Sequence, residues 1–329
     1  MASSSFTSML GKATAVTLVA IPLIAAAQDY PSPKRPITII VPYAAGGGTD
    51  NVARELAKLM SDKLGSPVII DNRGGAGGAI GSKQAAKADP DGYTLLFASS
   101  SFVTHAATEP KPSYDVNKDY APIAMVGRGP LVVVAHKSTG AKNVKQLIEA
   151  SKKTPNGLDF CSSGPGTVLH LAGELFKYKT GANMTHVAYK GSGPALTDLL
   201  AGRVQVFFTT VPAVMQYVKA GNLDLLAVTS AKRSSIFPNV PTVAESGVPD
   251  YNITTWWGLL APAGTPEPIV AKLNAVVNEV SAKEPLKTRL MNEGAEPSRG
   301  TPAEFKSVLS TELKTWQDVA KATNLSSNK

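Results

Sequence analysis

One cysteine, Cys161, is all that the 329 residues contain, so no disulfide can form within the chain and its core must hold it together unaided. At the end of an apolar run, that thiol reads as buried and inert. Histidine is scarce too. His105, His136, His170 and His186 are dispersed, with no H-E-x-x-H or other metal-ligand spacing, so no metal site is expected. Lysine and arginine outnumber acidic residues, 33 to 25, but form no run and no basic helix face, which argues against nucleic acid as a partner. A diffuse net charge of +8 suits an anionic small ligand or a negatively charged membrane surface. Beyond the N-terminus no stretch is apolar enough to span a bilayer. The phosphate-binding G-x-x-x-x-G-K-[ST] is missing, as is the G-x-S-x-G of a nucleophile elbow. Gly75 to Gly81 contains G-x-G-x-x-x-G, but it follows Asp71-Asn72-Arg73 rather than a strand end, a poor dinucleotide fingerprint. No cofactor is expected.

What is present begins with an export signal. After Lys12 the run Ala13–Ala27 is apolar, shorter than the ~20 residues of a spanning helix, interrupted by Pro22, and closed by small residues at Ala25 and Ala27. This predicts a signal peptide at 1–27, cleaved after Ala27, and a soluble mature protein. A bacterial periplasm accommodates such a protein without disulfides. With 43% hydrophobic residues, the chain has ample core for two domains.

Strand and helix signals then alternate. Ile37–Val41 is a β-branched run, followed by a glycine loop and a helix over 51–64. The unit recurs with a strand at 67–70, a glycine loop at 74–78, a helix at 79–88 and a strand at 93–98. After an irregular segment, 110–122, a second α/β series starts at Leu131 and runs to Thr229. A Pro/Ser/Gly-rich return at 230–250 leads to a strand at 254–261, and everything after Pro266 reads as helices. Such alternation predicts parallel sheets covered by helices on both faces. The terminal helices cannot build a sheet and must pack on the first one. The expected fold is therefore α/β, a two-lobed binding protein with a hinge: lobe I from 28–128 and 231–329, and lobe II, 129–230, inserted in it.

In open α/β sheets ligands bind beyond the carboxyl ends of the strands. There this chain places small and hydroxylated residues: Tyr43, Ala45, Gly46, Gly47 and Thr49 after the first strand, Ala76 in the second glycine loop, and Ser99, Ser100 and Ser101 after the third. Lobe II offers Ser162, Ser163, Gly166 and Thr167, then Tyr189, Gly191, Ser192 and Thr209. Glycine lets backbone N–H groups approach an anion, and each helix N-terminus adds roughly half a positive charge. A single glycine turn can be a mere connector; two facing each other across a cleft can hold a carboxylate without arginine. His170 either faces the cleft or packs behind the loop. A competing reading is an exported serine hydrolase acting through Ser162 or Ser163, although no base and orienter accompany them.

The runs PITIIVPYAAGGGTDNVAR and VIIDNRGGAGGAIGSKQAAKADPDGYTLLFASS resemble the N-terminal lobe of the Bug family, the TctC-like solute-binding proteins of tripartite tricarboxylate transporters. HVAYKGSGPALTDLLAGRVQ, PNVPTVAESGV and WWGLLAPAGTPEPIVAKLN extend the resemblance over the whole mature chain. It implies a periplasmic, non-catalytic monomer without cofactor that delivers a small carboxylate to membrane permease subunits. The carboxylate would be gripped between the Tyr43–Thr49 and Ser162–Thr167 loops. Many members carry an aspartate where this chain reads Phe207-Phe208-Thr209-Thr210; its absence argues for a plain carboxylate rather than an amino acid.

Overall fold

Alternation along the first strand sorts its side chains into two apolar layers. A computed structural model describes Met1, residues 30–323 and Leu325; the expected signal peptide, Met1 apart, lies outside them. In β1 (Ile37–Val41), Ile37, Ile39 and Val41 enter one layer while Ile40 enters the other. The first layer is closed by α1 (Gly48–Leu64), α8 (Glu267–Val280) and α9 (Leu286–Asn292), through residues such as Leu56, Leu273 and Leu290. The second is closed by α2 (Ala79–Ala86), α3 (Ser101–Thr108) and α10 (Pro302–Ala322), through Ala85, Phe102 and Phe305. β2 (Val68–Asn72) and β3 (Thr94–Ser99) flank β1 in parallel. β10 (Thr254–Pro262) is antiparallel to β3 and to β4 (Tyr120–Pro130), and β11 (Glu296–Pro297) edges β4.

The second sheet has the order β7-β6-β8-β5-β9. Its strands are β5 (Val132–His136), β6 (Leu158–Ser162), β7 (Met184–Ala188), β8 (Val206–Thr209) and β9 (Leu223–Val228). β6 runs parallel to β7 and β8, whereas β5 is antiparallel to both its neighbours. Helices α4 (Val144–Lys153), α5 (Val168–Thr180), α6 (Ser192–Leu200) and α7 (Val211–Lys219) connect these strands. Both sheets are thus mixed, which corrects the expectation of purely parallel ones.

Three further differences have local causes. β4 begins at the end of the segment read as irregular and runs through 123–130, for which the sequence predicts no element; Gly127 and Gly129 interrupt its apolar pattern. A Cβ on Gly129 would lie 2.2 Å from the Gly294 carbonyl oxygen, and one on Gly127 2.6 Å from Leu290, so these glycines admit the chain at 290–295. β11 interrupts the helical C-terminal region by pairing with β4. α3 is a short helix for which the sequence predicts no element beyond Ser101. Its Phe102 stacks on Tyr114 at 4.9 Å and serves the core.

The two sheets are joined where β4 hands over to β5 and where 229–253 returns from β9 to β10. One hydroxyl ties these passages. Thr229 Oγ1 accepts from the Leu131 N–H at 2.8 Å and donates to the Ile253 carbonyl at 2.7 Å, fully buried. Cys161 is buried as well, and burial pushes its thiol up to about 12.

The return of α10 onto the first sheet depends on Gly258. A Cβ there would sit 2.3 Å from Phe305 Cζ. Gly258→Ala is expected to cost about 1–3 kcal/mol of unfolding free energy by overpacking, measured by urea denaturation.

Candidate ligand-binding cleft

The parallel strands of both sheets deliver helix N-termini to one shared gap of about 520 Å³. Gly47, Gly48 and Thr49 bring the start of α1, Ser101 that of α3, Val168 that of α5, Ser192 that of α6, and Thr210 and Pro212 that of α7. Four of these helices, α1, α3, α6 and α7, begin without a side-chain cap. Their leading N–H groups therefore face the gap unconsumed by side chains, with the positive ends of the helix dipoles behind them.

The loop before α1 is pinned from below. Asp50, buried, accepts from the Gly46 N–H at 2.8 Å, Arg54 Nε at 2.9 Å and Asn72 Nδ2 at 2.9 Å. Burial would raise its carboxyl, but these bonds outweigh it and hold the group below the usual range. Trp257 Nε1 donates to Thr49 Oγ1 at 3.0 Å and Trp257 walls the gap. Tyr43 accepts from Ser99 Oγ at 2.9 Å, and burial pushes its phenol up to about 12. Ala45 and Gly46 are exposed.

The opposing loop is held from within its lobe. Ser162 is buried, 2.7 Å from His186 Nε2, and receives the Gly164 N–H at 3.1 Å. His186 stacks on His170 at 3.8 Å, and His170 Nδ1 accepts from the Gly166 N–H at 3.2 Å. Thr167 caps α5, donating to the Gly164 carbonyl at 2.8 Å. Ser162 and His170 thus face inward and shape the loop. This geometry corrects the hydrolase reading for Ser162: its hydroxyl is buried at 0% exposure and committed to the loop. Ser163 has no hydrogen-bonded histidine among the described residues.

Of the remaining predicted residues, Ser99, Ser101 and Ser192 line the gap, and Gly191 precedes α6 in a left-handed conformation, φ 114°. Ser100 turns away, its Oγ 3.2 Å from Thr255 Oγ1. Tyr189 donates to Asp198 at 2.7 Å. Thr209 is fully buried at the end of β8, and its hydroxyl has no partner among the described residues. Ala76 lies elsewhere, in a second gap of about 550 Å³ with Lys83, His105 and Lys111. The two gaps are separated by α3, where Thr104 Oγ1 donates to the Gly166 carbonyl at 2.7 Å and joins the two lobes.

Thr210, which stands with Thr209 at a predicted strand end, lines the gap, while Leu169, Trp257 and, above all, Glu293 were missed in the sequence. Glu293 follows α9 and brings a carboxylate to the gap from the first lobe. The end of β8 carries no acid, as the sequence shows, yet Glu293 brings one to the gap from the other side. Among the described residues no group of histidine, cysteine, aspartate and glutamate could hold a metal, and no helix is long and apolar enough to cross a membrane.

Two α/β lobes with helix N-termini converging on the cleft between them define a solute-binding protein. Residues 52–325 match the tripartite tricarboxylate transporter family receptor, and the chain belongs to that family. It is 40% identical to the protein BugT of Bordetella pertussis over 90% of this chain and 91% of that one. Among solved structures it resembles Rpa4515 of R. palustris with adipate (TM-score 0.81, 36% identity, 90% of this chain and 99% of that one). It also resembles MatC of Rhodopseudomonas palustris with bound malate (TM-score 0.77, 33% identity, 87% and 99%). The family consists of solute-binding proteins, and the chain is not an enzyme.

The stacked histidines make a prediction about acid. Burial foremost, then His186 and Lys177, lowers His170 to about 3; burial, then Lys177, lowers His186 to about 4. An unfolded chain, with histidines near 6.5, therefore binds more protons than the folded one between those values. Stability is fully present above pH about 6.5 and falls as pH drops toward 4. Melting curves across that window should show a fall that is shallower in His186→Gln.

Proposed function

We propose that the chain is an exported periplasmic receptor that captures a small organic carboxylate between its lobes and presents it to the membrane subunits of a tripartite tricarboxylate-type transporter. The observation that carries this reading is the convergence of five helix N-termini, four without a side-chain cap, on one gap. Such ends supply N–H donors and partial positive charge, the chemistry a carboxylate needs. The adipate of Rpa4515 and the malate of MatC are consistent with that class. On this reading lobe I comprises 28–128 and 231–329 and lobe II 129–230, so the passages around Leu131 and 229–253 are the hinge. Residues 1–27 direct export and are removed. The ligand contacts are the backbone of the Tyr43–Thr49 and Gly164–Thr167 loops with Ser99, Ser101, Gly191 and Ser192. Ser162, His170 and Tyr43 support those loops from behind.

The test is a thermal-shift screen of the refolded mature protein against di-, tri- and aromatic carboxylates. A ligand at a hundred times its dissociation constant should add about 2.7 kcal/mol of stability and raise the melting temperature. Ser192→Asp sets a fixed carboxylate at the first turn of α6. It should weaken the best ligand about 10–100-fold, or ~1.4–2.7 kcal/mol, by calorimetry. A screen without any shift overturns the carboxylate reading.

A further inference from the structure

Among the described residues Glu293 is the one acid that lines the 520 Å³ gap. The residue is 9% exposed. Its backbone N–H closes α9 onto the Arg289 and Leu290 carbonyls, but among the described residues its carboxylate makes no hydrogen bond and no ion pair. Burial raises its carboxyl above the ordinary value, and the Arg289 charge offsets this only in part. Its oxygens open onto the gap, so a solute that fills the gap strips them of water, and without a donor of its own it leaves them unpaired at a cost. The side chain nevertheless reaches the first residue of α1: a Cβ on Gly48 would lie 2.5 Å from Glu293 Oε2. Only glycine at 48 leaves room for it there.

The two walls of the gap are consequently unlike. The second lobe presents helix starts alone, at Val168, Ser192 and Thr210. The first lobe presents the starts of α1 and α3 together with one carboxylate. An anion that met only donors would be content with the former wall. Against the latter, a second carboxylate placed near Glu293 is repelled, whereas an O–H or N–H group completes the unsatisfied acid.

We propose that Glu293 is a specificity-determining residue, and that the cleft selects carboxylates carrying a proton-donating substituent, a hydroxyl or an ammonium, over their unsubstituted counterparts. This rests on the reading of the gap as a carboxylate site. The carboxylate of the solute lies toward the helix starts of the second lobe, and its donor lies toward Glu293. A site built to hydrogen-bond such a group discriminates strongly against the analogue that lacks it, since the buried acid is then left alone.

Calorimetry on matched sets tests this: succinate, malate and aspartate; glutarate, 2-hydroxyglutarate and glutamate; adipate, 2-hydroxyadipate and 2-aminoadipate; tricarballylate and citrate. In the set that binds, the donor-bearing member is expected to be favoured at least about tenfold. Glu293→Met should reduce that ratio to within about twofold, since no acceptor remains. Glu293→Gln keeps a carbonyl acceptor but loses the charge, so it should preserve a hydroxyl preference and abolish an ammonium preference, which tells the two substituents apart. Equal affinities within every set, or a preference that survives in Glu293→Met, overturns the role of Glu293 and leaves the carboxylate reading standing. Binding of no member of any set overturns both.

Discussion

A strand running parallel to its neighbours hands the chain to a helix at one edge of the sheet, and the N-terminus of that helix must stand at that edge. The rest of the binding geometry follows from this constraint. Three βα junctions in the second lobe and two in the first bring their unsatisfied N–H groups to facing rims. The mixed strands do not disturb the arrangement. β10 and β5 run the other way, each beside one strand whose junction feeds the gap, β3 and β8, and one that leads into a crossing between the lobes, β4 and β9. Among the described residues no arginine or lysine lines that gap. Positive character is distributed over backbone, which leaves side chains free to set shape.

Backbone donors are useful only if the loops carrying them are rigid, and buried polar pins supply that rigidity. Asp50 holds the first loop with three hydrogen bonds, and the Ser162–His186–His170 stack holds the second through Gly164 and Gly166. Each pin sits behind its loop, where a satisfied polar group fixes geometry without competing for solute. The His170 and His186 rings also fill space against Phe160, so the same residues serve as core and as scaffold.

Much of this was legible in the sequence because it is local. A β-branched run, a glycine loop and a helix start within Ile37–Thr49 announce a βα junction wherever they occur, and the repeats of that unit define two lobes and the rims that carry the donors. What escaped was set by distant chain. Gly127 and Gly129 look like breaks in a pattern until residues 290–295 come to lie against them. Glu293 reads as an ordinary acid after a helix. Only the fold places it against Gly48, about three quarters of the chain away. Inward or outward orientation was likewise hidden: a serine at a strand end, such as Ser162 or Ser100, offers its hydroxyl to the solute or to the protein according to neighbours that periodicity does not specify.

The hydroxyl of Thr229 has a mechanical consequence. It joins the Leu131 and Ile253 backbones at one buried point, so the two chain passages share a fixed crossing. On the hinge reading proposed above, the lobes turn about that point like two covers on a spine, and the separation of the rims is set by a single angle. On the same reading, occupancy of the interior becomes the spacing of two outer surfaces, a quantity that a partner resting across both gauges without touching the solute.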